Sequence, residues 1–294
     1  MFRYSFLVLL GACSIGVLAI FVKLAYRNGF TLGEVIGSQY LVGWLLLLLL
    51  TLLFFRHRVP LKQALVLFFA GTSASFTGIC YYGALQTSIP ASICIVLLFQ
   101  FVWIGIIIEM ISTKTLPSKE KVISVLFLLV GTALSSGLLE QSFHNLEIKG
   151  IILGLLSAIS FACYIFVSGK VAVDIPAFPR SVLLITGALV LILIVFPPTF
   201  IYDGALGKGL WKYGIALGTF SIVIPSIAFS IGIPKIGSGL ATILATAELP
   251  VTVILSVLIL KEAVFFSQWI GVLLIFIGIA IPQLFHFTAR AYKI

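Results

Sequence analysis

The chain has 294 residues, 61% of them hydrophobic and only 9% charged, and its mean hydropathy is +1.26. A water-soluble globular domain does not carry that balance; an all-α integral membrane protein with many spans does. The net charge of +9 would point to nucleic acid in a soluble protein. Here the basic residues stand between apolar runs and read as topology signals and contacts to anionic lipid headgroups, so a lipid bilayer is the expected partner and nucleic acid is not.

Ten apolar segments can be marked, at about 4–26, 32–55, 62–85, 90–112, 119–138, 149–169, 180–200, 211–233, 236–260 and 266–287. In the first, Leu10-Gly11-Ala12-Cys13 looks like a lipoprotein cleavage box. The stretch before it is short, with the single charge of Arg3, and the apolar run continues to Ala25, so it reads as an uncleaved spanning helix. Lys23 and Glu34 flank the first loop and Glu109 closes the fourth segment, where snorkelling or surface pairing accounts for them.

Connections are short throughout. With a cytoplasmic N-terminus the inner loops carry twelve basic residues, among them Arg56, Arg58, Lys121, Arg180 and Lys293, and the outer loops six, among them Lys23 and Lys261. Positive charge therefore places both termini inside, in a plasma or inner membrane.

Small residues fall at four-residue intervals at Gly150, Gly154, Ala158 and Ala162 in the sixth segment and at Gly214 and Gly218 in the eighth. Such stripes let helix backbones approach closely. The cysteines (Cys13, Cys80, Cys94, Cys163) lie in apolar runs without metal or disulfide spacing, and no cofactor is indicated. His57, His144 and His286 sit at segment ends or loops with no catalytic spacing, so an enzyme is not expected.

The ninth segment holds the most informative residues. Glu248 falls near its middle, where a carboxylate costs at least ~2.5 kcal/mol and is functional by default. Pro250 lacks a backbone donor and is expected to break the helical ladder, freeing the carbonyl of Thr246. Charge and bare backbone at that depth are tolerated against protein or a watery cavity. Glu248 is read either as a site for a proton or a cationic solute, or as a permanently protonated group donating to a neighbouring carbonyl.

Trp103 and Gln100 at mid-depth of the fourth segment, Tyr81 and Tyr82 in the third, Tyr164 in the sixth and Gln39 in the second are further candidates to line a substrate cavity. Aromatic walls with few polar groups suit apolar or delocalised cationic solutes, partly by cation–π contact. Each aromatic taken singly reads as readily as core or lipid face. Thr72, Ser73, Ser75 and Thr77 are expected to bond their own helix carbonyls. Pro225 is expected to bend the eighth segment and Pro250 the ninth, as hinges. No deep Lys or Arg pair is expected in the spans, which counts against phosphate and nucleotide-sugar substrates.

The chain also repeats. Val130-Gly131-Thr132-Ala133 corresponds to Ile277-Gly278-Ile279-Ala280 at an offset of 147, half the length. Five spans per half is an odd number, so a tandem copy inserts with opposite topology, the plan of many secondary transporters with a midplane site. Residues 1–140 and 147–288 are the two expected five-helix repeats, with 289–294 a cytoplasmic tail.

The run Gly239-Leu240-Ala241 … Glu248-Leu249-Pro250 … Leu260-Lys261-Glu262 … Ile270-Gly271 … Leu274-Ile275 … Ile277-Gly278 resembles the EamA-type repeat of the drug/metabolite transporter superfamily. That resemblance implies ten helices in two halves and export of amino acids or other small metabolites. The first half departs from the pattern: Phe101, Trp103 and Thr115 stand where the second has Glu248, Pro250 and Glu262. The expected function is a secondary transporter exporting an amino acid or an amphiphilic or cationic compound, with protons as a possible coupling ion. The alternatives are a non-transporting accessory or scaffold protein and an uptake permease; monomer and homodimer stay open.

Overall fold

The computed structural model describes residues 2–54, 59–87, 89–140 and 147–291. Arg56, His57, Arg58, His144 and Lys293 lie outside the described residues, as do residues 292–294 of the expected tail. The described chain is helical throughout. Ten helices follow in order: α1 (Phe2–Arg27), α2 (Leu32–Phe54), α3 (Leu61–Leu85), α4 (Ala91–Thr113), α5 (Lys119–Ser135), α6 (Ile148–Lys170), α7 (Ala177–Val195), α8 (Leu206–Ile236), α9 (Ser238–Leu260) and α10 (Phe266–Ala291). All except α5 are long and apolar enough to cross a membrane by their described residues. The 17 residues of α5 span ~25 Å at 1.5 Å each, and the helix lies along α10.

Turn chemistry sets the boundaries. Thr31 and Glu34 form a capping box at the start of α2: the Thr31 N–H donates to the Glu34 carboxylate at 2.5 Å and the Glu34 N–H to Thr31 Oγ1 at 3.4 Å. Glu34 thus serves its own helix rather than a surface pair with Lys23. Helix α7 covers 177–195 where 180–200 is expected from the sequence. Pro176 and Pro179 fit its first turn, whose N–H groups have no intrahelical partner, and Pro197-Pro198 end it early. In α8 a wide-turned stretch, Gly218–Val223, immediately precedes Pro225 at the head of a regular helix, Ile224–Ile236. The missing proline N–H is absorbed there.

Three helices are interrupted in mid-course. Helix α1 breaks between Gly16 and Leu18, α4 between Leu98 and Phe101, and α9 between Ala245 and Glu248. The breaks in α4 and α9 are 147 residues apart, as are the left-handed residues that end these helices, Lys114 (φ 53°) and Lys261 (φ 55°).

Packing follows the same spacing. Helix α1 packs on α8 and α9 as α6 packs on α3 and α4, while α2 packs on α8 as α7 packs on α3. Helices α4 and α9 touch each other. The central core joins Phe99, Phe101, Ala158, Ala162, Tyr164, Phe229, Ala245 and Ala247 with their neighbours.

Close approach is made possible by small residues. A β-carbon at Gly71 or Gly187 would run into the backbone carbonyl of Leu184 or Phe68, so α3 and α7 cross with their backbones in contact. The stripe on α6 does the same: Gly154 faces Leu97 of α4, and Ala158 and Ala162 are fully buried.

Candidate functional site

The interruption in α9 is made by tight backbone turns. The N–H of Ala247 returns to the Leu244 carbonyl at 3.2 Å and that of Leu249 to the Thr246 carbonyl at 3.2 Å. The Thr246 carbonyl is therefore occupied, contrary to the expectation that Pro250 frees it. Pro250 is the third residue of the second half-helix, Glu248–Leu260, where its missing N–H costs nothing. The Thr246 side chain is buried and bonds back to Ile243 at 2.7 Å.

Glu248 opens that half-helix, where the positive end of the helix dipole favours a carboxylate. Its carboxyl group makes no side-chain hydrogen bond or ion pair among the described residues. Its backbone is held tightly. Thr252 Oγ1 bonds the Glu248 carbonyl at 2.9 Å and the Gly16 carbonyl of α1 at 3.0 Å. A β-carbon at Gly16 would stand 2.6 Å from the Glu248 carbonyl. The break in α1 therefore lies against the break in α9.

Tyr81 and Tyr82 form an edge-to-face pair with ring centroids 5.8 Å apart, and both lie within electrostatic reach of Glu248. Tyr82 is also within reach of Tyr26 and Tyr40, and Tyr40 of Tyr164. Tyr164 is buried, its ring stacked on Phe161 with centroids 6.2 Å apart. Phe161 meets Phe101, the counterpart of Glu248 in α4. Five tyrosines from α1, α2, α3 and α6 are thus linked by electrostatic reach, and two of them, Tyr81 and Tyr82, are also within reach of the acid.

The other candidates are arranged differently. Gln39 is buried and donates to Ser221 Oγ at 2.8 Å, joining α2 to α8 beside the wide-turned stretch. Gln100 precedes the second half of α4, its amide N–H donating to the Val96 carbonyl at 2.9 Å and its oxygen accepting from the Trp103 indole at 2.7 Å. Trp103 itself is 38% exposed, whereas Tyr164 is buried. The hydroxyls of Thr72, Ser73, Ser75 and Thr77 all bond carbonyls of their own helix.

One residue was misjudged from sequence. Arg180, counted above among the inner topology charges, is the largest fully buried side chain among the described residues, 1% exposed. Its guanidinium donates to the Ser230 carbonyl of α8 at 3.0 Å and to the Ser168 carbonyl of α6. The reason is the early start of α7. An extra first turn, opened by Pro176, carries Arg180 inside the bundle, and the proline at position 176 was the available signal.

Both ends of α9 carry ion pairs. At its start, Glu109 accepts from the Gly239 N–H at 3.0 Å and pairs with Lys121 at 2.5 Å, tying α4, α5 and α9 together. Just past its end, Glu262 pairs with Lys23 of α1 at 2.8 Å. No group of three or more metal-ligating side chains occurs among the described residues.

Fold and site together describe a polytopic helical membrane protein with interrupted helices meeting at mid-depth. Residues 148–282 are similar to the EamA-like transporter family, whose model matches them. Twenty-eight solved chains match the fold. One, titled only "Crystal structure of protein", superposes with a TM-score of 0.78 at 15% sequence identity, over 96% of this chain and 98% of that one. At that identity the likeness speaks for the fold. No curated protein matches.

Proposed function

We propose that this protein is a secondary carrier that exports a small metabolite, an amino acid or an amphiphilic or cationic compound, across the plasma or inner membrane. Residues 1–140 and 147–288 act as two inverted five-helix repeats that rock about a midplane site, opening it to each side in turn. Both termini are cytoplasmic. The observation that carries this reading is the paired interruption of α4 and α9 at positions 147 residues apart, with an unpaired carboxyl group at one of them. Interrupted helices at bilayer depth are where transporters bind solute and coupling ion.

Glu248 is the working group. Beside the Tyr81–Tyr82 pair it takes either a cationic part of the solute or a proton, and exchange between the two would couple export to proton entry. Aromatic faces beside a carboxylate favour an ammonium or delocalised cation. Trp103, Gln100, Gln39, Tyr164 and Thr246 complete the proposed lining, and the irregular turns just before Pro225 and Pro250 act as the hinges.

The test is a tolerance screen in an exporter-deficient bacterium expressing wild type, Glu248→Gln or vector, challenged with amino acids, toxic analogues and lipophilic cations. Wild type is expected to confer tolerance to at least one compound and the variant to lose it, with transport reduced about tenfold or more, the equivalent of ~1.4 kcal/mol. A variant that transports with unchanged rate and pH dependence would remove Glu248 from the mechanism. Wild type without any phenotype despite good membrane expression would favour uptake or an accessory role.

A further inference from the structure

The Arg180 nest is not explained by the Glu248 site. Four buried hydroxyl-bearing residues, Ser168, Ser181, Ser226 and Ser230, surround the guanidinium between α6, α7 and α8. Ser181 Oγ lies 3.0 Å from both the Ser226 carbonyl and the Ser230 hydroxyl, and Ser226 Oγ bonds back to Ile222 at 2.5 Å. Those groups are satisfied by one another. One polar atom in the nest is not: Arg180 Nε is buried without a partner. The Tyr164 hydroxyl lies beside Ser168, Ser226 and the guanidinium.

The charge is unanswered as well. Asp174 lies within electrostatic reach of Arg180, but no carboxylate pairs with it among the described residues. Asp174 instead accepts from Gln63 at the surface, at 3.0 Å. A buried cation held only by neutral carbonyls is costly, and the cost falls when an anion arrives. A guanidinium has five N–H donors in a planar fork matched to a carboxylate. Here two donors are used by carbonyls.

We propose that Arg180, with Ser168 and Tyr164, is the anion-binding end of the solute site and takes a carboxylate of the transported compound. This inference rests on the carrier reading above and deepens it. One guanidinium without a lysine or second arginine suits a single negative charge better than a phosphate. Arg180 is within electrostatic reach of Tyr164, Tyr164 of Tyr40, Tyr40 of Tyr82 and Tyr82 of Glu248, so a solute bearing a carboxylate at one end and an apolar or cationic part at the other meets both. In the present conformation the guanidinium is sealed, and the carboxylate reaches it when α6, α7 and α8 part during the cycle.

The experiment melts the purified full-length protein with sodium acetate, benzoate and phenylpropionate, each beside its matched alcohol at equal ionic strength. At least one carboxylate is expected to raise Tm by about 2–4 °C more than its alcohol, and Arg180→Gln to abolish that difference. The response to phenethylamine, the probe for the Glu248 end, is expected to survive in Arg180→Gln and to vanish in Glu248→Gln. Should Arg180→Gln not fold, Arg180→Lys decides, because lysine keeps the charge without the fork: the carboxylate difference falls by half or more. Equal shifts by carboxylate and alcohol in wild type, or an undiminished difference in either Arg180 variant, overturn the proposal and leave Arg180 as a staple of three helices. Tolerance that persists in the bacterial screen alongside that outcome leaves the carrier reading intact.

Discussion

Helices α4 and α9 are interrupted at positions 147 residues apart, yet their chemistry differs. In α9 the second half-helix opens on Glu248 with Pro250 behind it. In α4 it opens on Phe101, preceded by Gln100, with no proline. A proline is therefore not what breaks these helices. Both turn at a short non-helical step closed by local backbone hydrogen bonds and resume. The acid is the property of one copy.

The same asymmetry separates the entrances to α2 and α7. The first turn of α2 carries Glu34 in an exposed capping box, while the first turn of α7 carries Arg180 into the core. Helices α6 and α8 are in contact around that arginine, whereas α1 and α3, their counterparts, are not among the well-packed pairs. The two halves thus share a packing pattern, while Glu248 and Arg180 both lie in the second half.

The largest effect on this contrast is expected where α1 meets the acid. Gly16→Val places a side chain against the Glu248 carbonyl and Val251. Overpacking of that kind costs about 1–3 kcal/mol, and the displacement of Glu248 is expected to cut transport about tenfold while the protein still reaches the membrane. Flux in proteoliposomes beside a melting curve checks both parts. Unchanged flux would detach the α1 break from the site.

The two ion pairs differ in burial, and that sets the next effect. Glu109→Gln leaves Lys121 without its counter-ion and weakens the cap on Gly239; charged hydrogen bonds of this kind are worth about 1.5–3 kcal/mol. Lys23→Gln breaks a pair whose side chains are 50% and 35% exposed, worth at most about 1 kcal/mol and screened by salt. Melting temperatures should fall clearly for the first and marginally for the second. The reverse order would mean that the Lys23 end holds the bundle closed.

The smallest effect is expected for Pro250→Ala. Since the proline sits where no N–H is required, stability should change by less than ~1 kcal/mol and transport should stay near wild type. A large loss would restore the proline to the role first read from the sequence.

That reading shows what a sequence of this type makes legible. Ten apolar runs, their short connections and the spacing of 147 were visible because each is a matter of length. Glu248 was visible because a carboxylate in such a run has no competing explanation by composition. Which face of a helix turns inward was not visible: lipid and core are equally apolar, so the exposure of Trp103 and the burial of Tyr164 left no periodic trace. The break in α4 had no proline to announce it. Arg180 was misplaced because a shift of one turn in a helix start separates a lipid-facing charge from a buried one.

The central claim is that Glu248 stands at a point open to water from each side in turn. The direct measurement replaces Cys13, Cys80, Cys94 and Cys163, introduces Glu248→Cys, and labels vesicles of both orientations with a charged, membrane-impermeant thiol reagent. Lys23→Cys serves as the exposed control and Ala158→Cys as the buried one. The account predicts labelling of Glu248→Cys from both faces, slowed by a transported solute, with Ala158→Cys unreactive. Labelling from neither face, while Lys23→Cys reacts, would contradict it and make Glu248 a residue of the packed interior.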